Sequence, residues 1–191
     1  MISMVITKEN YHDVSNMVDK WGGRVTFMPL FPMGSALENE ENNALSGVEY
    51  YDVLNHDARI EPFSGIINYL KSNHNRPIMK CAIGDCELSI SSSGDVYPCQ
   101  LLHEEKYYLG NINEHTLEEI LRTSIDKGFG NHTVEKMDKC KNCDVRYICG
   151  GACQARHNSE TGSIDNVGTF CEYEKRGIIN GIIANAIMLD I

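Results

Sequence analysis

The sequence predicts an α+β protein made of two parts built on different principles, and three observations lead there. A strand, a helix and a second strand can be read within residues 4–28, the pattern of a βαβ unit and therefore of a parallel pair with a right-handed crossover. The eight cysteines all lie beyond residue 80. From there on, short β-prone runs, glycines and brief helical segments replace long periodic elements. The character thus changes from Cys81, and the chain divides into an N-terminal part, 1–75, and a C-terminal part, 76–191.

The elements follow in order. Met4-Val5-Ile6-Thr7 is a short β-prone run. Thr7 is placed to cap a helix over about residues 9–20, with Tyr11, Val14, Met17 and Val18 on one face. Gly22-Gly23 ends that helix, and Val25-Thr26-Phe27-Met28 resumes as a buried strand. Pro29, Pro32 and Gly34 turn the chain into an exposed acidic loop, Glu38 to Asn43, without calcium-loop spacing. Helices are expected near 47–57 and 62–73, the second with Phe63, Ile66, Ile67 and Leu70 at helical spacing. Two strands cannot bury both of their faces, so residues 1–75 read as the end of a larger α/β domain or as a surface that packs on a partner.

In the C-terminal part, Glu87–Ser92 and Asp95–Tyr97 form an expected hairpin across Ser93-Gly94. Thr116-Leu117-Glu118-Glu119 is a capping box that opens a helix through about Arg122. A last helix over about 172–189 carries Ile178, Ile182, Ile183 and Ile187 on its apolar side.

Composition bounds the function. A chain of 191 residues with 42% hydrophobic and 23% charged residues is that of an ordinary globular protein. No stretch approaches the roughly 20 apolar residues of a membrane span, and the N-terminus lacks the basic and apolar regions of a signal peptide. These features place the chain in the cytosol, where thiols stay reduced and dense cysteines point to metal or catalysis rather than to disulfides. A net charge of −10 argues against nucleic acid as a partner, and nothing suggests a membrane.

The cysteines carry the chemistry. One group is Cys81-x4-Cys86-x12-Cys99; the other is Cys140-x2-Cys143-x5-Cys149-x3-Cys153, closed by Cys171 after a 17-residue gap. Eight thiols make two sets of four, enough for two tetrathiolate sites. Cys140, Cys143 and Cys149 are close enough in sequence to wrap one core. In Cys149-Gly150-Gly151-Ala152-Cys153 the glycines remove side chains where backbone must approach a cluster and donate N–H groups to it. Spacing leaves Cys153 with either group. It also leaves two structural zinc sites open, although zinc ribbons use two CxxC knuckles and this chain has one.

Taken with Gly94-x4-Cys99, Gly94-Asp95-Val96-Tyr97-Pro98-Cys99 and Leu109-Gly110-Asn111-Ile112, the pattern resembles the SPASM domain. That domain is the C-terminal extension of radical S-adenosylmethionine enzymes that mature peptides and proteins, a group that includes anaerobic sulfatase maturases and thioether peptide maturases. The resemblance covers about residues 81–175 and implies two 4Fe–4S clusters. It assigns Cys81, Cys86, Cys99 and Cys153 to a first auxiliary cluster, and Cys140, Cys143, Cys149 and Cys171 to a second. Some relatives leave an open iron at the position of Cys86. The clusters would pass electrons or anchor substrate in an oxidative modification of a peptide or protein side chain. Residues 1–75 are similar to the terminal β/α units of the partial (β/α)6 barrel of these enzymes, with Val25 to Gly34 as the last strand and its exit.

The sequence departs from the family twice. The CxxxCxxC motif that holds the radical-generating cluster is not in this chain, so S-adenosylmethionine would be a cofactor only of a complete enzyme. Met1 would fall at a mid-barrel strand, as expected of a truncated or split reading frame. Sulfatase-maturing relatives place a catalytic Asp directly after the third cysteine, where this chain has Gln100. The chain alone is thus expected to hold auxiliary clusters, with no catalytic residue of its own. Its partners would be a ribosomally made peptide or protein substrate, an N-terminal radical half and a redox donor or acceptor protein. The rival classes are a stand-alone iron–sulfur electron-transfer or peptide-binding module and a zinc-stabilised interaction domain.

The seven histidines form no spaced metal set. His12, His56, His74 and His132 read as solvated; His103 and His157, each four residues after a cluster cysteine, are placed at the surface or just behind a cluster. Asp85 and Asp95 flank the first cysteine group, where turn roles explain them. There is no Ser-His-Asp set, phosphate loop or nucleophile elbow.

Overall fold

Alternation of apolar and polar residues fixes the first elements. Strands β1 (Ile2–Ile6) and β2 (Val25–Pro29) pair in parallel, with Ile2 opposite Val25 and Ile6 opposite Pro29. The structure, a computed structural model, describes residues 1–31, 36, 43–60 and 77–188. Residues 38–42 of the acidic loop, the expected helix near 62–73 and His74 lie outside the described residues. Among those described, small sheets and helices make a mixed α/β architecture.

The chain divides into two compact units, Met1–Arg76 with Val167–Ile191, and Pro77–Asn166. In the first, the crossover between β1 and β2 contains a 3₁₀ turn, Tyr11–Asp13, and helix α1 (Val14–Trp21). The expected cap at Thr7 is not a helix cap. Its hydroxyl accepts from Glu9 N–H at 3.3 Å, while Asn10 Oδ1 accepts from Thr7 N–H at 2.8 Å. This local turn takes up the donors near residue 7, so the helix begins a full turn later. Gly22, at φ +55°, stops α1 as its sequence promised.

The second strand differs from its expectation too. Only Pro29 of β2 is buried, and Thr26 and Met28 face out beside Ser3 and Val5 of β1. A pleated strand sends alternate side chains to opposite faces, so a two-stranded sheet covered on one side buries half of each strand. The covered side meets Val14 of α1 and Leu45, Tyr50 and Leu54, around Ile6 at 0% exposure. Helix α2 (Gly47–Asn55) opens with a full capping box between Ser46 and Glu49, and Tyr50 Oη donates to the Phe27 carbonyl at 3.0 Å.

The last helix of the chain belongs to this same unit. Phe170 lies 6.1 Å from the Tyr50 ring, and Tyr173 stacks on Tyr51 at 5.7 Å. Gly47 makes that approach possible, because a Cβ there would stand 3.1 Å from the Tyr173 ring. Of the apolar residues expected to face inward from this helix, Ile178 is buried and Ile183 is exposed. No described helix is long and apolar enough to cross a membrane.

The other unit has short elements. Strands β3 (Ser89–Ile90), β4 (Asp95–Tyr97) and β5 (Gly110–Asn111) form an antiparallel sheet in the order β3-β4-β5, with the expected hairpin between the first two. Helix α3 (Leu117–Asp126) follows the expected capping box at Thr116 and Glu119. Helices α4 (Arg146–Cys149) and α5 (Gln154–Thr161) carry cysteines at or beside their ends; α6 (Phe170–Met188) is the helix that returns to the first unit. Ile83, Val96, Leu102, Leu109, Ile120, Phe129 and Ala155 form the core.

Candidate metal centre

Cys81, Cys99 and Cys153 reach one core from three distant stretches of chain. Cys81 opens a tight loop in which the N–H groups of Cys86 and Glu87 both reach the Ala82 carbonyl, at 3.0 and 3.1 Å. This puts Cys86 at an exposed loop position. Gly84 holds the loop down: at φ +65° a Cβ would come within 2.6 Å of Ser124 Oγ and Phe129 Cβ. Ser124 Oγ also donates to the Gly84 carbonyl.

Cys99 leaves β4 through Pro98 and is buried. Its sulfur accepts the Leu101 N–H at 3.5 Å, and its carbonyl accepts the Leu102 N–H at 3.0 Å. Cys153 stands at the N-cap of α5, where the unpaired N–H groups of a first turn favour negative charge. Cys81 and Cys153 both pack against the core that contains Cys99. Burial pushes the Cys99 thiol up, offset in part by the Leu101 N–H, and the charges of Glu87, Cys153 and Cys81 push it further. Three thiolates gathered there would repel one another in a poorly solvated place. A shared cationic metal core removes that penalty.

The second group winds through consecutive turns. Cys140 N–H donates to Met137 O at 3.0 Å, Cys143 N–H to Cys140 O at 2.8 Å, and Arg146 N–H to Cys143 O at 3.2 Å. Each turn advances the chain by three residues, so the CxxC pair is carried on successive turns of one winding segment. Arg146 also donates from Nη1 to the Cys143 carbonyl at 2.9 Å, and Tyr147 first, then the charge of Cys143, raises its pKa. Cys149 ends α4, held by a 2.9 Å bond from its N–H to Val145 O. Cys171 is the second residue of α6 and lies in the other unit.

Between Cys149 and Cys153 the backbone does something L-residues avoid. Gly150, Gly151 and Ala152 all have positive φ, at +66°, +86° and +57°. A left-handed conformation costs a non-glycine residue roughly 1–2 kcal/mol, so Ala152 stores strain. A Cβ on Gly150 would overlap Ile78, and one on Gly151 would sit 3.2 Å from Met137 Sδ. The glycines expected from sequence to allow close approach are thus required on packing grounds as well.

The histidines correct their sequence reading in two places. His157 is not at the surface: it is 2% exposed, and its Nε2 lies 3.0 Å from the Gly151 carbonyl. Burial pulls its pKa below the ordinary value. His132 is not solvated either, with Nδ1 3.3 Å from Asp165 and Nε2 buried without a hydrogen-bond partner. His12 and His56 are exposed as expected. His103 is exposed and stacks on Tyr97 at 4.4 Å, with Nε2 2.8 Å from Ser89 Oγ. Asp95 does serve its turn, accepting from Ser93, Asn111 and Ser91, which hold its carboxyl below the usual range. Asp85 pairs with Lys80. Arg146, Gln154 and the Ile78 contact were not singled out from the sequence. Gln154 is 1% exposed beside Cys153, with Oε1 unpartnered.

No cysteine is in a disulfide. Among the described residues, no three His, Cys, Asp or Glu side chains stand close enough to hold a single metal ion. The N–H bond to Cys99 Sγ and the Gly150-Gly151 stretch, bare of side chains, fit an iron–sulfur core, whose sulfurs need donors and close backbone.

The class that this fold and cysteine set define is an iron–sulfur cluster-binding domain, and residues 81–144 match the SPASM family of such domains. Over that segment the chain is similar to the SPASM domains of the anaerobic sulfatase-maturating enzymes. The cysteine-type anaerobic sulfatase-maturating enzyme of Clostridium novyi is 30% identical over 115 residues, covering 59% of this chain and 30% of that protein. That of Clostridium perfringens is 26% identical over 127 residues, covering 66% and 34%. The solved structure described as native anSMEcpe with bound AdoMet superposes at a TM-score of 0.62 with 18% identity, covering 98% of this chain and 56% of that one. A related structure carries AdoMet and a Kp18Cys peptide, at a TM-score of 0.60. The chain spans less than half the length of these curated relatives.

Proposed function

We propose that the chain supplies the auxiliary-cluster part of a radical S-adenosylmethionine enzyme that oxidatively modifies a peptide or protein side chain. The observation that carries this reading is the gathering of Cys81, Cys99 and Cys153 on one buried core from three separate stretches of sequence. A first 4Fe–4S cluster would be held by these three with Cys86, and a second by Cys140, Cys143, Cys149 and Cys171. When bound, such clusters supply one-electron acceptors whose potentials follow ligation, burial and hydrogen bonding.

The chain's own residues do the rest. The Leu101 N–H donates to Cys99 sulfur, Cys153 stands at the N-cap of α5, and the core around Leu102 and Ile83 excludes water. Residues 1–75 would be the terminal β/α units of a partial (β/α)6 barrel, and residues 76–191 the cluster domain. The parallel β1–β2 pair is consistent with that role. A peptide substrate, a redox protein and the radical-generating half of the enzyme are the partners this reading calls for.

The ligand sets are tested by paired substitutions in the anaerobically reconstituted chain. Cys99→Ser and Cys143→Ser should each remove about half of the iron, and together nearly all of it. If either single substitution removed all the iron while the protein stayed folded, or if neither removed any, the two-set assignment would fail.

A further inference from the structure

The strap from Cys149 to Cys153 joins the two proposed ligand sets, and it is held in a conformation that its own residues resist. Gly150, Gly151 and Ala152 are left-handed in succession, and Ala152 lacks the freedom of glycine. Such strain persists only where the surroundings impose it. At the near end the surroundings are plain: Gly150 N–H donates to Arg146 O at 2.8 Å and its Cα face lies against Ile78.

The far end is imposed by a histidine. His157 lies one turn into α5, buried, and approaches the Gly151 carbonyl at 3.0 Å. A carbonyl oxygen only accepts, so Nε2 carries the proton and donates. The same helix starts at Cys153, whose carbonyl receives the His157 N–H at 3.1 Å. The bond from Nε2 therefore closes a ring from helix to strap to helix, with Cys153 inside it.

We infer that His157 is a positioning residue: by donating to Gly151 it locks the left-handed strap and sets where Cys153 stands relative to Cys149. This rests on the two-cluster reading above. Cys149 has independent support from Val145 O and from α4, so loss of the lock should fall on the set that uses Cys153. It should leave the Cys140–Cys143 set in place.

Two substitutions separate the donor from its bulk. His157→Gln keeps an N–H near the Nε2 position; His157→Phe fills the space without a donor. In the reconstituted full chain, His157→Gln should keep wild-type iron content and the wild-type electron paramagnetic resonance signature of the reduced clusters. His157→Phe should lose about half of the iron and one component of that signature while still melting cooperatively. The inference is overturned if His157→Phe keeps both components, if His157→Gln loses iron as well, or if His157→Phe loses all iron together with its cooperative melt.

Wild-type chain that takes up no iron and sulfide would sink the cluster reading, not the lock. Amide exchange at Ala152 and Cys153 in the metal-free chain then decides. Exchange accelerated at least tenfold in His157→Phe but not in His157→Gln supports the lock, and unchanged rates overturn it.

Discussion

The two units of this chain reach order by different routes. In the first, strands of five residues and helices of eight, nine and 19 residues are specified by their own apolar spacing around Ile6, Val14 and Leu54. In the second, strands are two or three residues long, and the helices beside the cysteines have four and eight. Its shape comes from turns, buried polar bonds and glycines pressed against neighbours. Elements this short do not hold themselves together. The difference teaches that one unit draws its stability from periodic burial, whereas the other depends on ties across sequence, with the cysteines at its knots.

The strongest way to break this comparison is to compare the chain with and without metal. Loading iron and sulfide should raise hydrogen-exchange protection across residues 77–166 by several kcal/mol, on the order of what metals give small metal-dependent domains, and leave β1 and β2 little changed. Equal changes in both units would erase the distinction.

Glycine substitutions sharpen it next. Gly150→Ala combines a left-handed φ with overlap onto Ile78 and should cost about 2–4 kcal/mol by denaturant unfolding. Gly23→Ala, in the first unit, has no atom within 4 Å of its added Cβ and should cost less than about 1 kcal/mol.

Helix caps should not distinguish the units. Ser46→Ala and Thr116→Ala each remove a capping box and should each cost about 1 kcal/mol. Smallest is the acid limb. The Asp95 carboxyl is held below its ordinary range by its bonds from Ser93, Asn111 and Ser91. Its contribution is therefore present above the unfolded value and fades as pH falls through the lower folded one. Asp95→Asn should lower stability slightly at neutral pH and flatten the acid limb of a stability–pH curve below about pH 4.

The legible parts of the fold were those with a local cause. The parallel pair, the Gly22 stop, the hairpin across Ser93-Gly94 and the Thr116 box each follow from a few adjacent residues. So does the cysteine pattern, whose spacing identified the domain that the family match supports over 81–144. What the sequence could not show depends on distant neighbours. The position of His157 four residues after Cys153 hinted at a place behind a cluster, but not that its ring would reach the Gly151 carbonyl. His132 gives no sign of Asp165, 33 positions on and 3.3 Å away. The outward face of β2 was misjudged because an apolar run does not say how many layers cover it. The signal for His157 was its i+4 position after Cys153 at the start of a helix, where a side chain points back toward the preceding strap.

The central claim is that the cysteines hold iron–sulfur clusters. It is tested most directly by assaying metal and acid-labile sulfide on the chain purified without oxygen. About eight iron and eight sulfide per chain, with a brown colour bleached by dithionite, is the result this account predicts. Two zinc per chain, no labile sulfide and a colourless protein would contradict it.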